Sequence, residues 1–224
     1  MTEQPTRRTV LRAAAVGAAG LAAALTACAD RPPVSALTPA APVATNTTAI
    51  RRRVIVAFFS RAGENYHYGG RRNLTVGNTE VVAGMIRDRT GADLYKIEPV
   101  DRYPDAYDAT VDRNTAEQDA NALPAIAAAL PDIRPYDVVI LGSPVWSSRA
   151  PRIMSTFIDE VDLGGKTVLP LVTYAVSGMS GIDDFYRRAL STSTVERGLA
   201  VQGEEVADSG DAIDTWLRSH TLIN

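Results

Sequence analysis

Four short stretches carry side chains that could hold a charged, ring-bearing ligand. They are Ser60 with Arg61; Gly77, Asn78 and Thr79; Pro144, Val145, Trp146 and Ser147; and Thr173, Tyr174, Ser177 and Gly178. Small residues dominate them, so a ligand can come close to the backbone, and the last two each add one large flat side chain. VGNTE (76–80) reads as a helix start. Asn78 or Thr79 can cap it, which leaves backbone N–H groups pointing outward. Such an end carries partial positive charge and suits a phosphate; an ordinary capped helix fits the same residues. A guanidinium suits phosphate, so Arg61 is a candidate, and a solvent-facing Arg61 fits equally. Trp146 can stack on a planar ring or fold back into the core. TYAVSGMSG (173–181) is either a second wall or a simple connection. Taken together, the stretches describe a phosphate seat and two walls for a planar ring, the shape of a mononucleotide site.

The elements that must position these stretches alternate. VIVAFF (54–59), YDVVILG (136–142) and KTVLPLVTY (166–174) are continuous apolar runs, as expected of strands buried on both faces of a parallel sheet. Pro170 counts against the third. Weaker strands are expected over 92–100 and 196–206. Helical patterns fall between them at 79–91, 105–123, 150–161, 181–190 and 211–219. The first places Val82, Met85 and Ile86 on one face and stops at Gly91. Strand then helix, repeated, gives a doubly wound α/β sheet with helices on both faces. Ligands of such sheets sit beyond the carboxyl ends of the strands. The segments to search are therefore those after residues 59, 142 and 172, where the candidate stretches lie.

Composition narrows the function classes. The chain has 224 residues, 46% hydrophobic and 22% charged, enough to bury a core. Its net charge is −3. Without residues 1–27, which hold three Arg and one Glu, 20 basic and 25 acidic residues remain. A mildly acidic body argues against nucleic acid as a partner. One cysteine, Cys28, allows no intramolecular disulfide, and the two histidines form no Cys/His cluster for a structural zinc site.

The N-terminus reads as an address. TRRTVLR precedes an apolar, Ala-rich run that ends in Leu25, Thr26, Ala27 and Cys28. A charged start, an apolar middle and a small-residue end make a secretory signal. The paired Arg7 and Arg8 resemble the twin-arginine export signature, and LTAC resembles a bacterial lipobox whose cysteine is lipidated. An uncleaved membrane anchor is the other reading. Residues 28–50, rich in Pro, Ala and Thr, read as a tether. The expected organisation is a signal peptide over 1–27, a tether over 28–50 and one domain over 51–224, lipid-anchored on the outer face of the cytoplasmic membrane.

FFSRAGEN, VGNTE, ADLYKIEPVDRYPDAYD, YDVVILGSPVW, APRIMSTFID and GKTVLPLVTY resemble the long-loop flavodoxins, over residues 53–199 and in the same order. The resemblance implies a three-layer αβα fold with a five-stranded parallel sheet of order 2-1-3-4-5, and FMN as cofactor. It implies that Ser60, Gly77, Asn78 and Thr79 hold the phosphate. Pro144, Val145, Trp146 and Ser147 would line the ring and its ribityl edge, with Thr173, Tyr174, Ser177 and Gly178 closing the other side. It implies electron transfer or flavin-dependent reduction, with a partner protein or a small acceptor such as a quinone. The bulkier Tyr174-Ala175-Val176 departs from the pattern and motivates an alternative: a binding module that has lost flavin and holds another phosphorylated ligand or a partner protein. Arg71, Arg72 and His67 are expected on a surface loop and His220 is expected to be idle. Tyr103 and Tyr107 anchor a helix or pack near the flavin edge, and Asp183 and Asp184 mark a helix start.

Overall fold

The computed structural model describes residues 52–224. The expected signal segment 1–27, Cys28 and the tether 28–50 lie outside the described residues. In chain order the elements are β1 (Val54–Phe58), β2 (Gly63–His67), β3 (Gly70–Leu74), α1 (Asn78–Thr90), β4 (Asp93–Lys96), α2 (Tyr107–Asp119), β5 (Val138–Pro144), α3 (Arg152–Glu160), β6 (Thr167–Tyr174), α4 (Ile182–Ala189), β7 (Thr194–Val195), β8 (Leu199–Gln202), a 3₁₀ helix (Gly203–Asp208) and α5 (Gly210–Ser219).

The main sheet is parallel and runs β4-β1-β5-β6, with β7 and β8 both pairing with the far edge of β6. Counting β7 and β8 as one interrupted strand, this is the expected order 2-1-3-4-5. The apolar runs do not alternate because both faces of the sheet are covered. Val54, Val56 and Phe58 of β1 pack with Val82, Ala83 and Ile86 of α1 and with Ile213, Trp216 and Leu217 of α5. Ile55 and Ala57 point the other way, to Ile153, Met154 and Phe157 of α3 and Ile182 and Tyr186 of α4. Helix α1 stops where expected: Gly91 adopts φ 70° and its N–H bonds Arg87 O at 2.7 Å.

Two features depart from the sequence reading. Residues 63–74, expected as a loop, form an antiparallel hairpin closed by Tyr68 and Gly69, both at positive φ (46° and 84°). This is the two-residue turn whose twist matches the strands. Both faces of the hairpin are polar, so it gave no apolar alternation to read. The second departure is in the last strand. Val195 pairs with Val168 and Leu199 with Leu171, so three residues (196–198) stand opposite two (169–170). Pro170 has no N–H to give a partner strand, and the chain bulges past it. Gly198 makes the passage possible, since a Cβ there would lie 2.7 Å from Pro170 O and 2.5 Å from Met179 Cε. His220, expected to be idle, is buried and pins the bulge: its ring nitrogens face Glu196 Oε2 at 2.7 Å and Arg197 O at 3.0 Å.

Helix α2 is polar because it does not cover the sheet. It buries only Thr110 and Asn114 and packs on β2 and α3.

Gly198→Val is expected to destabilise the fold by about 1–3 kcal/mol through overpacking. Gly84→Ala, in α1 with nothing within 4 Å of a built Cβ, is expected to stabilise it by about 0.5–1 kcal/mol. Urea unfolding of the two variants checks both signs.

Candidate functional site

The carboxyl ends of β1, β5, β6 and β8 open on one cavity of about 100 Å³. Each strand contributes its following residues: Ser60 and Arg61; Val145 and Trp146 after Pro144; Ala175 after Thr173 and Tyr174; Gly203 and Glu204. Asn78 and Thr79 add the start of α1, Asn65 and Tyr66 the hairpin, and Tyr107 the start of α2.

The start of α1 is built differently from the expectation. Neither Asn78 nor Thr79 caps it. Gly77 is the N-cap, and the capping oxygen comes from Ser60, whose Oγ accepts the Glu80 N–H at 3.1 Å. The Val81 N–H goes to Gly77 O at 3.2 Å. The N–H groups of Asn78 and Thr79, first in the helix, have no intrahelical acceptor. No side chain fits at Gly77: a Cβ would lie 2.3 Å from Ser60 Oγ and 2.5 Å from Arg61 O. The Asn78 carboxamide makes no hydrogen bond among the described residues and lies against Gly203, where a Cβ would come within 2.5 Å of its Nδ2. The Thr79 hydroxyl is buried and shares a 2.8 Å bond with Thr173 Oγ1, which fixes the helix start to the end of β6.

Trp146 lies between its two expected fates. It is half-buried on the core side, set edge-on against Phe59 at 5.3 Å and Tyr103 at 4.9 Å, and it also lines the cavity. Tyr103 is itself held, its hydroxyl on Glu117 at 2.6 Å and Arg113 over its ring at 4.1 Å. Burial, with the Glu117 hydrogen bond, pushes the Tyr103 phenol well above its ordinary pKa.

Arg61 is a clamp as much as a ligand group. It donates to the carbonyls of Pro104 (2.8 Å), Asp105 (3.1 Å) and Glu64. Its Nε is buried without a partner. Burial lowers its pKa, against the raising pull of Asp105 and Glu64. Glu204 Oε1 accepts the Tyr68 N–H at 2.9 Å, and its Oε2 is likewise buried and unpartnered.

Of the sequence candidates, Ser60, Arg61, Asn78, Thr79, Pro144, Val145, Trp146, Thr173 and Tyr174 converge on this cavity, with Gly77 behind Ser60. Ser147 lies outside its lining and accepts from Asn114 Nδ2 at 3.2 Å. Ser177 and Gly178 also lie outside it; the Ser177 carbonyl takes the Ser180 hydroxyl at 3.0 Å. Gly203 and Glu204 were missed. They follow a strand end like the others, and extending the search to the last strand would have found them.

A sequence model of the flavodoxins matches residues 73–219. The chain belongs to the flavodoxin family. Among solved structures, the flavodoxin fold seen here is similar to a putative flavoprotein from Bacteroides eggerthii (27% identity, 75% of this chain and 97% of that one, TM-score 0.60). It is also similar to one from Bacteroides uniformis (24%, 75% and 98%, TM-score 0.60). A flavoprotein from Lactobacillus acidophilus, solved in complex with FMN, shares the fold at 15% identity (71% and 99%, TM-score 0.52). No curated protein matches the chain.

The Thr79–Thr173 pair ties this flavodoxin site together. Thr173→Val leaves the buried Thr79 hydroxyl unpaired and is expected to cost about 1–3 kcal/mol in urea unfolding, whereas the double change Thr79→Val with Thr173→Val recovers most of that loss.

Proposed function

We propose that the chain binds FMN at the carboxyl edge of its sheet and works as a flavin-dependent redox protein. The observation that carries this reading is the start of α1. Two unpaired backbone N–H groups, the Asn78 carboxamide and the Ser60 hydroxyl meet there around a glycine that admits no side chain. The partial positive charge of the helix end favours a phosphate at that point. The residues fit the rest of the group as well. Arg61 and Glu204, both in the cavity wall, each keep one buried polar atom without a partner, the donor Nε and the acceptor Oε2. A ligand with both acceptor oxygens and hydroxyl donors suits the pair, whereas a bare phosphate would meet the Glu204 charge. Trp146, held edge-on by Phe59 and Tyr103, and Tyr174, which also lines the cavity, offer flat surfaces for a ring.

When bound, FMN supplies reversible one- and two-electron transfer. The chain's own part is to seat the phosphate, hold the walls rigid and add Asn65 and Tyr66 of the hairpin to the cavity lining. The redox partner is a protein or a small acceptor such as a quinone. A second reading, a flavodoxin fold that holds a different phosphorylated ligand, is favoured by the cavity's size. At about 100 Å³ it is below the ~300–1,000 Å³ of clefts that enclose a whole ligand, so an FMN ring would rest partly on the open rim.

The export reading belongs to the same proposal. A twin-arginine route moves folded chains, so cofactor loading would precede export, and a lipid on Cys28 would hold the protein outside the cytoplasmic membrane.

The following measurements test these proposals. The purified full chain is expected to show flavin absorption bands or to bind added FMN at micromolar affinity or better; a colourless chain that ignores FMN overturns the reading. Asn78→Ala is expected to weaken FMN about tenfold or more, since one hydrogen bond to a charged group is worth ~1.5–3 kcal/mol, and Gly77→Ala is expected to weaken it by displacing Ser60 from the helix start. For the anchor, Cys28→Ser is expected to move the protein from the membrane to the soluble fraction. The intact mass of the membrane-extracted wild type should lack residues 1–27 and carry added lipid.

A further inference from the structure

A second cavity, of about 360 Å³, lies between the end of α2, the turn before α3 and the start of α4. Arg149, Arg152 and Arg188 line it together with Ser148, Ser180 and Phe185, and no Asp or Glu is among its lining residues. In a chain with more acidic than basic side chains, an acid-free wall holding three guanidinium groups needs a reason. Like charges brought together without a counter-ion repel one another.

The arginines are also differently committed from their neighbours. Arg152 is fixed by the carbonyls of Ala122 and Asn121, each at 2.8 Å. The side chains of Arg149 and Arg188 make no hydrogen bond or ion pair among the described residues. Arg187, one position away, pairs with Asp183 and Asp184. Those carboxylates are thereby spent, and Arg188 is left for something else. Ser148 and Ser180 both sit at positive φ (60° and 51°), a backbone state that costs energy for a side-chain-bearing residue. Phe185, half-buried, gives the cavity an apolar surface.

From this we infer that the second cavity binds a small organic anion, a carboxylate or phosphate joined to an apolar or aromatic body. Guanidinium groups recognise either oxyanion through paired N–H bonds, and the volume is that of a small-molecule site. Its position beside the first cavity gives it a use. Trp146 N–H to Arg149 O (2.9 Å) and Arg149 N–H to Trp146 O (3.0 Å) close a tight turn. That turn presents Trp146 to the first cavity and Arg149 to the second. An anion held by Arg149 would stand one turn away from the proposed ring wall, where a redox substrate would wait. That role rests on the FMN reading; the anion site itself does not.

The test is calorimetric titration of the full chain at low salt with naphthoate, and with neutral naphthamide as control. Naphthoate is expected to bind and naphthamide is not. Arg149→Ala with Arg188→Ala should weaken naphthoate about tenfold or more and leave FMN affinity unchanged, while Arg187→Ala should change neither. No naphthoate binding by the wild type, equal binding of naphthamide, or binding that survives the double substitution would each overturn the proposal. Naphthoate binding by a wild-type chain that takes no FMN would keep the anion site and remove only the FMN reading.

Discussion

One hydrogen bond closes the segment on which the site depends. The Glu80 N–H reaches Ser60 Oγ across the 20 positions that separate them. In doing so it caps α1 and sets the end of β1 against the helix start. An entire hairpin is inserted between the two residues. Closing a longer loop adds only a slowly growing entropy cost, so the insertion is tolerated provided its ends are fixed. Gly77 lets them meet, because any side chain there would collide with Ser60 and the Arg61 carbonyl. The exposed N–H groups of α1, and with them the seat for an anion, follow from that closure.

The hairpin is then tied to everything around it. Arg61 gathers the carbonyls of Glu64, Pro104 and Asp105. Glu64 in turn accepts the Tyr107 N–H at 3.0 Å, which caps α2. Arg71 lies 3.6 Å over the Tyr107 ring, and the Tyr68 N–H holds Glu204 beside the last strand. These bonds explain why α2 can be polar: it is seated on the hairpin and α3 and has no sheet face to cover. They also explain the burial of a guanidinium, whose lost hydration is offset by three carbonyls and by the nearby Asp105 and Glu64 charges.

How much of this was legible follows from which interactions are local. The apolar runs at β1, β5 and β6 could be read because two-sided burial removes alternation, and the Gly91 stop because a left-handed cap needs only one residue. The hairpin escaped reading since GENYH and GRRNL are polar on both faces and its turn uses Tyr68, a residue uncommon at positive φ. The interrupted last strand was legible only in half. Pro170 raised doubt about its own strand, yet that strand formed, and the disruption appeared in the neighbour that needed its missing N–H. Ser60, Asn78 and Trp146 were found from the strand-end rule. Glu204 obeys the same rule and was passed over because its strand carried the weakest pattern.

The turn from Trp146 to Arg149 is where local cost and site geometry meet. Both central residues, Ser147 and Ser148, have positive φ (47° and 60°). Glycine would adopt that geometry freely, and serine does so at a cost of about 1 kcal/mol or more per residue. Part of the cost is offset where Asn114 Nδ2 donates to Ser147 Oγ, Asn114 being one of only two residues that α2 buries. The helix that has no sheet to cover therefore props the turn that separates the two cavities. A flexible glycine pair would let Trp146 swing away from Phe59 and Tyr103. Serines braced by Asn114 hold that aromatic wall still and fix the backbone of Arg149 at the edge of the neighbouring cavity.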